Sequence, residues 1–482
     1  MKSTQALTAA LALAVLSSIS AAQTVTVTTS KDLVDINFFT GTIADLPGPD
    51  GLVSFAEALI ATDNEPGHQT IEFHIPQSDW TLQFLYPGAA VLTGGDFRAF
   101  DSVTIDGTSQ TAFTGDTNPI GNEVAVYGGA VYLLAPGSRF TGFHSGEMYL
   151  TGDNGVVEDN TGGMHINLWA DNGVARNNQA GTIKIDRGNF NTVIGNTMQR
   201  VRIWGFGASQ RAVGNRVGGP SLDERNFITG YGTVNSEGLP SGTDVELFYT
   251  DGTEIENNYI GTTPDGMAQG HQFSNKGIEF LDGNIGTRVR NNLIAGILGH
   301  GQGPHWAGTL WGWTIFFQGG GSDIEITGNT LGLDATGAAT LPGVWGLDIG
   351  YGAFSTYTDV RVGGYTPGEG NTIAGHLLTG LLVGNATSGV RLAGNSIFGN
   401  GTNLAASIGI DLLGSSQSIG VTLNDALDAD SGGNGLQNFP VLSSANIEST
   451  GTRVVGVLDS APNQNYTLEF FASPAADPSG YG

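Results

Sequence analysis

Three groups of residues in this sequence could do chemistry. Glu246, Glu279, Asp348 and Asp411 each hold the second position of a short alternating strand, and Phe316 and Leu382 hold it in the intervening units. If the units stack, the Glu246 and Glu279 carboxyls stand about 5 Å apart. At that separation one acid can attack and the other donate a proton in retaining glycoside hydrolysis, and their pKa values would separate. A solvated outer ladder of like charges would give the same pattern. The second group is the loop holding His300, His305, Trp306, Trp311 and Trp313. Indole faces stack on sugar rings and imidazoles move protons, or the same rings pack over the fold. The third is Asp428, Asp430 and Asn434, alternating oxygen donors around a Gly turn. Such a set suits Ca²⁺, the one cofactor the sequence suggests. It lacks the bidentate Glu of an EF-hand, since Phe439 stands at position twelve, and an Asx-rich turn is the other reading.

The elements that must position these residues repeat. Asn160, Asn178, Asn196 and Asn215 follow at intervals of 18, 18 and 19 residues, each at the end of an alternating strand. A fixed period near 20 means stacked units. Eighteen residues of strand measure about 60 Å, which suits one turn of a three-sided coil. The asparagines are expected in line at one corner, where Asn tolerates left-handed backbone and its amides can bond along the stack. After residue 226 the anchors spread to 24–42 residues apart, so the excess must leave one corner as loops: 262–275, 297–313, 334–345 and 364–370. Roughly a dozen coils are expected between 150 and 415. The sequence thus reads as all-β, a stacked parallel solenoid over 103–440. A cap and opening strands precede it over 23–102. In that cap Ser54 and Glu57 form a capping box for a short helix. After Pro440, Thr452–Leu458 and Asn465–Phe471 read as paired antiparallel strands. They would begin a sandwich-like module over 441–482, and two strands do not stand alone, so a longer chain is expected.

Composition narrows the function. Residues 1–22 read as a secretory signal peptide: Lys2, an apolar run from Leu7 to Leu16, and Ser20-Ala21-Ala22 as the cleavage site. This predicts a secreted or cell-surface protein. There is no cysteine, and the net charge is −27 with four lysines. Phosphate backbones need clustered cations, so nucleic acid is not an expected partner. No later segment is apolar and long enough for a membrane-spanning helix. Nothing resembles a phosphate loop, a zinc site or a nucleophilic triad.

The units Asn258–Gly266 and Asn329–Gly337, with the closing stretch Leu423–Asp430 and Gly435–Val441, resemble those of secreted bacterial right-handed parallel β-helix repeat proteins. Ser54–Ile60 looks like a degraded Cys-Ser-Leu-Arg-Glu-Ala opening segment of that family, departing from it at Val53, Phe55 and Ala56. The resemblance implies a right-handed parallel β-helix over about residues 50–482 and says little of activity. Residues 299–301, Gly-His-Gly, resemble one motif of polygalacturonases, which share that fold, while their Asn-Thr-Asp, Asp-Asp and Arg-Ile-Lys motifs are missing. Pectate lyases need a basic residue beside acidic calcium ligands. The sequence pairs none, although Lys184, Asp186 and Arg187 share one coil segment. Two function classes follow: an extracellular binding or structural module directed to glycans, or an enzyme, either a pectate-lyase-like lyase or a glycoside hydrolase.

Overall fold

A computed structural model describes residues 22–230, 242–271, 274–300, 310–350, 356–402, 406–416, 418–473 and 480, with only the backbone at 300, 310 and 311. The signal-peptide segment lies outside the described residues, Ala22 apart. The regular structure of the described residues is nearly all β, in long parallel sheets compatible with a parallel β-solenoid, and they form no closed barrel. Along the first sheet, Thr24–Val27 pairs with Gln69–Phe73, then Val103–Asp106, Arg139–Thr141 and Val156–Glu158 follow. The first rung therefore lies within the opening segment. The stack continues through Val174–Arg176, Thr192–Ile194, Arg216–Gly218, Glu254–Glu256 and Arg288–Arg290 to Val390–Ala393. Among the described residues this makes nine rungs from residue 156, against the dozen expected, because the loops lengthen the later coils.

Alternation sets which side chains face inward. Val157, Ala175, Val193, Val217, Ile255, Val289, Ile326 and Val362 stand in register and are buried. In the second sheet Ile166, Ile183, Val201, Val245, Ile278, Ile315, Leu347 and Leu381 do the same. Period two in sequence thus becomes two apolar walls of one core. At the N-terminal end Phe55–Asp63 forms the foreseen helix. Ser54 Oγ accepts from Glu57 N at 3.2 Å, and Glu57 Oε2 accepts from Ser54 N at 2.9 Å. The Phe55 ring lies 4.7 Å from Phe97 and 5.5 Å from Phe73. A second helix, Thr108–Thr114, was not foreseen.

One corner carries a ladder of buried asparagines. Asn160, Asn178, Asn196, Asn226, Asn258, Asn292, Asn329, Asn371 and Asn395 link in order, each Nδ2 donating to the next Oδ1 at 2.9–3.0 Å. All eight accepting Oδ1 atoms also take a backbone N–H at 2.8–3.2 Å, for example Asn178 N to Asn196 Oδ1 at 2.9 Å. The expected place of Asn215 in this line is corrected. Asn215 Oδ1 accepts from Asn191 N and Nδ2 at another corner, and Asn226 continues the main ladder. The left-handed residue is the one before the rung, as at Asp159, Asn177, Gly195, Asn257 and Asn291. The ladder asparagine itself supplies the amide.

The second sheet changes along the stack. Gln179–Asp186 pairs along its length with Thr197–Trp204, whose two ends then pair with separate strands, Phe227–Ile228 and Gly242–Phe248. Loops 262–273, 297–312 and 332–344 all leave between these two halves, as one-corner insertion requires. Loop 364–370 does not: it leaves between Thr356–Gly363 and Thr372–Ala374, beside the Asn ladder. At the C-terminus, Val441–Glu448 pairs antiparallel with Gly451–Val457. The expected strand at 465–471 is irregular instead.

Candidate functional site

The face of the second sheet opposite the core carries one continuous column. Tyr132, Tyr149, Asn167, Lys184, Arg202, Glu246, Glu279, Phe316, Asp348, Leu382 and Asp411 are successive register partners. The acid column read from strand position is therefore in register. Its surroundings match neither sequence reading in simple form. A solvated ladder would be exposed, yet Glu246 is 8 % and Glu279 4 % exposed. Each carboxylate also has its own cation. Arg200 Nη2 contacts Glu246 Oε2 closely, with Arg202 Nε 3.8 Å from Oε1. Lys276 Nζ lies 2.5 Å from Glu279 Oε1, and Thr243 Oγ1 donates to Oε2 at 2.8 Å. Each carboxylate is thus held in its own ion pair, whereas a retaining pair acts as one nucleophile and one proton donor on a shared bond.

Sequence reading singled out Lys184 on this face but not Arg200, Arg202 or Lys276. Lys184 and Arg202 lie 18 residues apart, the period of the asparagines, and that spacing could have found them. The Arg202 guanidinium stacks 3.1 Å from the Trp204 ring centre. Burial holds its pKa below the usual range, against the raising effect of Asp186 and Glu246. Among the described residues Lys184 forms no ion pair. Toward the N-terminal end the face turns aromatic. Tyr132 and Tyr149 stack at 4.6 Å and 6°. Trp169, 50 % exposed, meets Tyr149 edge-on at 5.2 Å. Arg98 lies 4.8 Å over Tyr132.

Of the tryptophan–histidine loop, His305 and Trp306 lie outside the described residues, as do the side chains of His300 and Trp311. The backbone pairs Gly299 with Trp311 and His300 with Leu310. Trp313 is corrected as a ligand-stacking residue. It is 8 % exposed, its Nε1 donates to Asp348 Oδ2 at 3.0 Å, and its ring packs 4.8 Å from Phe316. At the other end of the column, burial pushes the Asp411 carboxyl up to about 6, partly offset by the Gly420 N–H.

The calcium group is changed in one member. Oxygens of Asp425, Asp428 and Asp430 lie within 4.8 Å of one another. Asn434 is elsewhere, its Oδ1 accepting from Val390 N at 2.9 Å and its Nδ2 donating to Val390 O at 2.6 Å. It has left-handed backbone, φ 50°, and closes the last coil. Burial, then Asp425 and Asp428, raise the Asp430 carboxyl, and its Oδ1 has no partner among the described residues. Three convergent carboxylates fit a hard cation, with carbonyls or waters completing six to eight ligands. Ser460 Oγ and Gln437 Nε2 already occupy Asp428 Oδ2, at 2.6 and 2.9 Å.

No helix among the described residues is long and apolar enough to cross a membrane. No protein-family model matches this chain, and no curated protein matches it.

Proposed function

We propose that this is a secreted or cell-surface protein of the right-handed parallel β-helix repeat class, acting as an extracellular glycan-binding module. Right-handedness follows from the near-universal hand of crossovers between parallel strands. The observation that carries the binding reading is the aromatic platform of Tyr132, Tyr149 and Trp169 on the outward face, continued by Lys184 and Arg202 on the next rungs. Flat rings on a rigid sheet bind sugar faces at little entropic cost. The test is affinity electrophoresis of the full chain through gels containing polygalacturonate, alginate or a neutral xylan. Retardation is expected in at least one gel. Trp169→Ala with Tyr149→Ala should reduce it about tenfold, since stacked rings each contribute about 0.5–1.5 kcal/mol beyond their area. Free migration in all three gels would sink the reading.

The enzyme reading keeps one specific observation: buried acids and cations share one face. Ultraviolet-absorbing unsaturated products would identify a lyase, and new reducing ends a hydrolase. Neither is expected, with or without Ca²⁺. Turnover that disappears in Glu246→Gln or Glu279→Gln would move the function to the acid column.

A further inference from the structure

At the edge of the same face the chain forms an open cleft of about 500 Å³ lined by Arg187, Asn189, Ser209, Gln210 and Arg211. One wall is a tight turn, with Phe206 N donating to Gln210 O at 2.8 Å and Gln210 N to Gly207 O at 3.0 Å. Arg211 is anchored by Nη1, which donates to Thr250 O at 3.3 Å and to Gly283 O. The exposed Arg187 guanidinium lies 4.0 Å over the Phe206 ring. Among the described residues neither arginine has a carboxylate within 4.0 Å, in a chain of net charge −27. Asp171, which borders the cleft through Asn189, already accepts from Asn189 N and Nδ2 at 2.8 and 3.0 Å. The cleft adjoins the outward face: Arg187 N donates to Trp204 O at 2.8 Å, and Trp204 follows Arg202 by two residues.

We propose that Arg187 and Arg211 form a subsite for an anionic substituent of the bound glycan, so that the ligand class is an acidic polysaccharide. Guanidinium forks recognise planar carboxylates and sulfates through paired hydrogen bonds. The carboxylate of a uronic acid and a sulfate ester share that chemistry. This inference rests on the glycan reading above, and the experiment separates the two.

The full chain is titrated calorimetrically with trigalacturonate, with its methyl ester and with sodium sulfate. Expected are saturable binding of trigalacturonate, binding of the uncharged ester about tenfold weaker, and a loss of about tenfold in Arg187→Gln, the worth of one charge-assisted hydrogen bond. Arg211→Gln should act likewise. Because Arg211 also ties backbone carbonyls, the exposed Arg187 is the deciding position, checked by an unchanged melting temperature. Sulfate binding that weakens in Arg187→Gln while trigalacturonate does not bind would keep the cleft, assign it to sulfate esters and count against the aromatic platform. Equal binding of acid and ester, or trigalacturonate binding unchanged in Arg187→Gln but lost in Trp169→Ala, would overturn the cleft and leave the platform standing. No binding of either anion would overturn it as well.

Discussion

Asn196 makes five hydrogen bonds with one amide. Its Oδ1 accepts from Asn178 N and Nδ2, and its Nδ2 donates to Asn226 Oδ1, Ala175 O and Ile194 O. Leucine fills similar space and satisfies none of these buried groups. Each group left unsatisfied costs about 1–3 kcal/mol, so Asn196→Leu should lose at least that amount in urea unfolding. A change near zero would mean that water replaces the amide. His376 is a second buried polar residue. It is 0 % exposed, with Thr314 Oγ1 at 2.9 Å and Asn400 Oδ1 at 3.0 Å. Burial lowers its pKa from 6.5 to about 4. The unfolded chain takes up the proton first, so this contribution is full above about pH 6.5 and is lost as pH falls toward 4. The loss is of order 3 kcal/mol. Melting temperature against pH should fall across that window, and His376→Gln should flatten this part of the curve.

The turn at 425–430 holds the carboxyls of Asp425, Asp428 and Asp430 together. Three acids held together repel one another, and a divalent cation relieves that repulsion. Millimolar Ca²⁺ should therefore raise the melting temperature, and chelator should reverse the rise. Asp425→Ala and Asp430→Ala should remove the response. Asn434→Ala should lower the melting temperature equally with and without Ca²⁺, because Asn434 bonds both polar groups of Val390. A melting curve indifferent to Ca²⁺ would leave only the turn. The capping box at Ser54 was legible because its partners lie three residues apart on one helix. The acid group differs at one position from the sequence grouping, because Asp425 meets Asp428 and Asp430 while Asn434 bonds Val390.

Across the whole molecule, each rung buries its apolar face against its neighbours, so protection should be graded rather than uniform. The C-terminal ribbon of Val441–Glu448 and Gly451–Val457 leaves Ile447 92 % and Val457 70 % exposed. Two strands without a covered face are marginal in water. Hydrogen exchange should be slowest on the rungs from Val156 to Gly218 and fast on this ribbon. Equal protection of both would contradict an uncovered ribbon.

The period of 18 residues, the alternation within each strand and the second-position acids were sufficient for stacked coils, an inward apolar face and the register of Glu246 with Glu279. These are local properties, because side chains alternate with period two whatever lies alongside. Which residue is the next neighbour is not local. Asn215 keeps the spacing of the ladder but misses it, because the chain between Asn196 and Asn226 makes an extra turn at another corner. The same holds for Arg200 and Arg202, which meet Glu246 across more than forty residues, and for Trp313, whose indole is taken by Asp348. Contacts across rungs depend on loop lengths that carry no periodic signal, and burial depends on what packs over a strand. Tertiary structure alone therefore decided which acids are neutralised, which aromatic rings stay exposed and where two arginines converge.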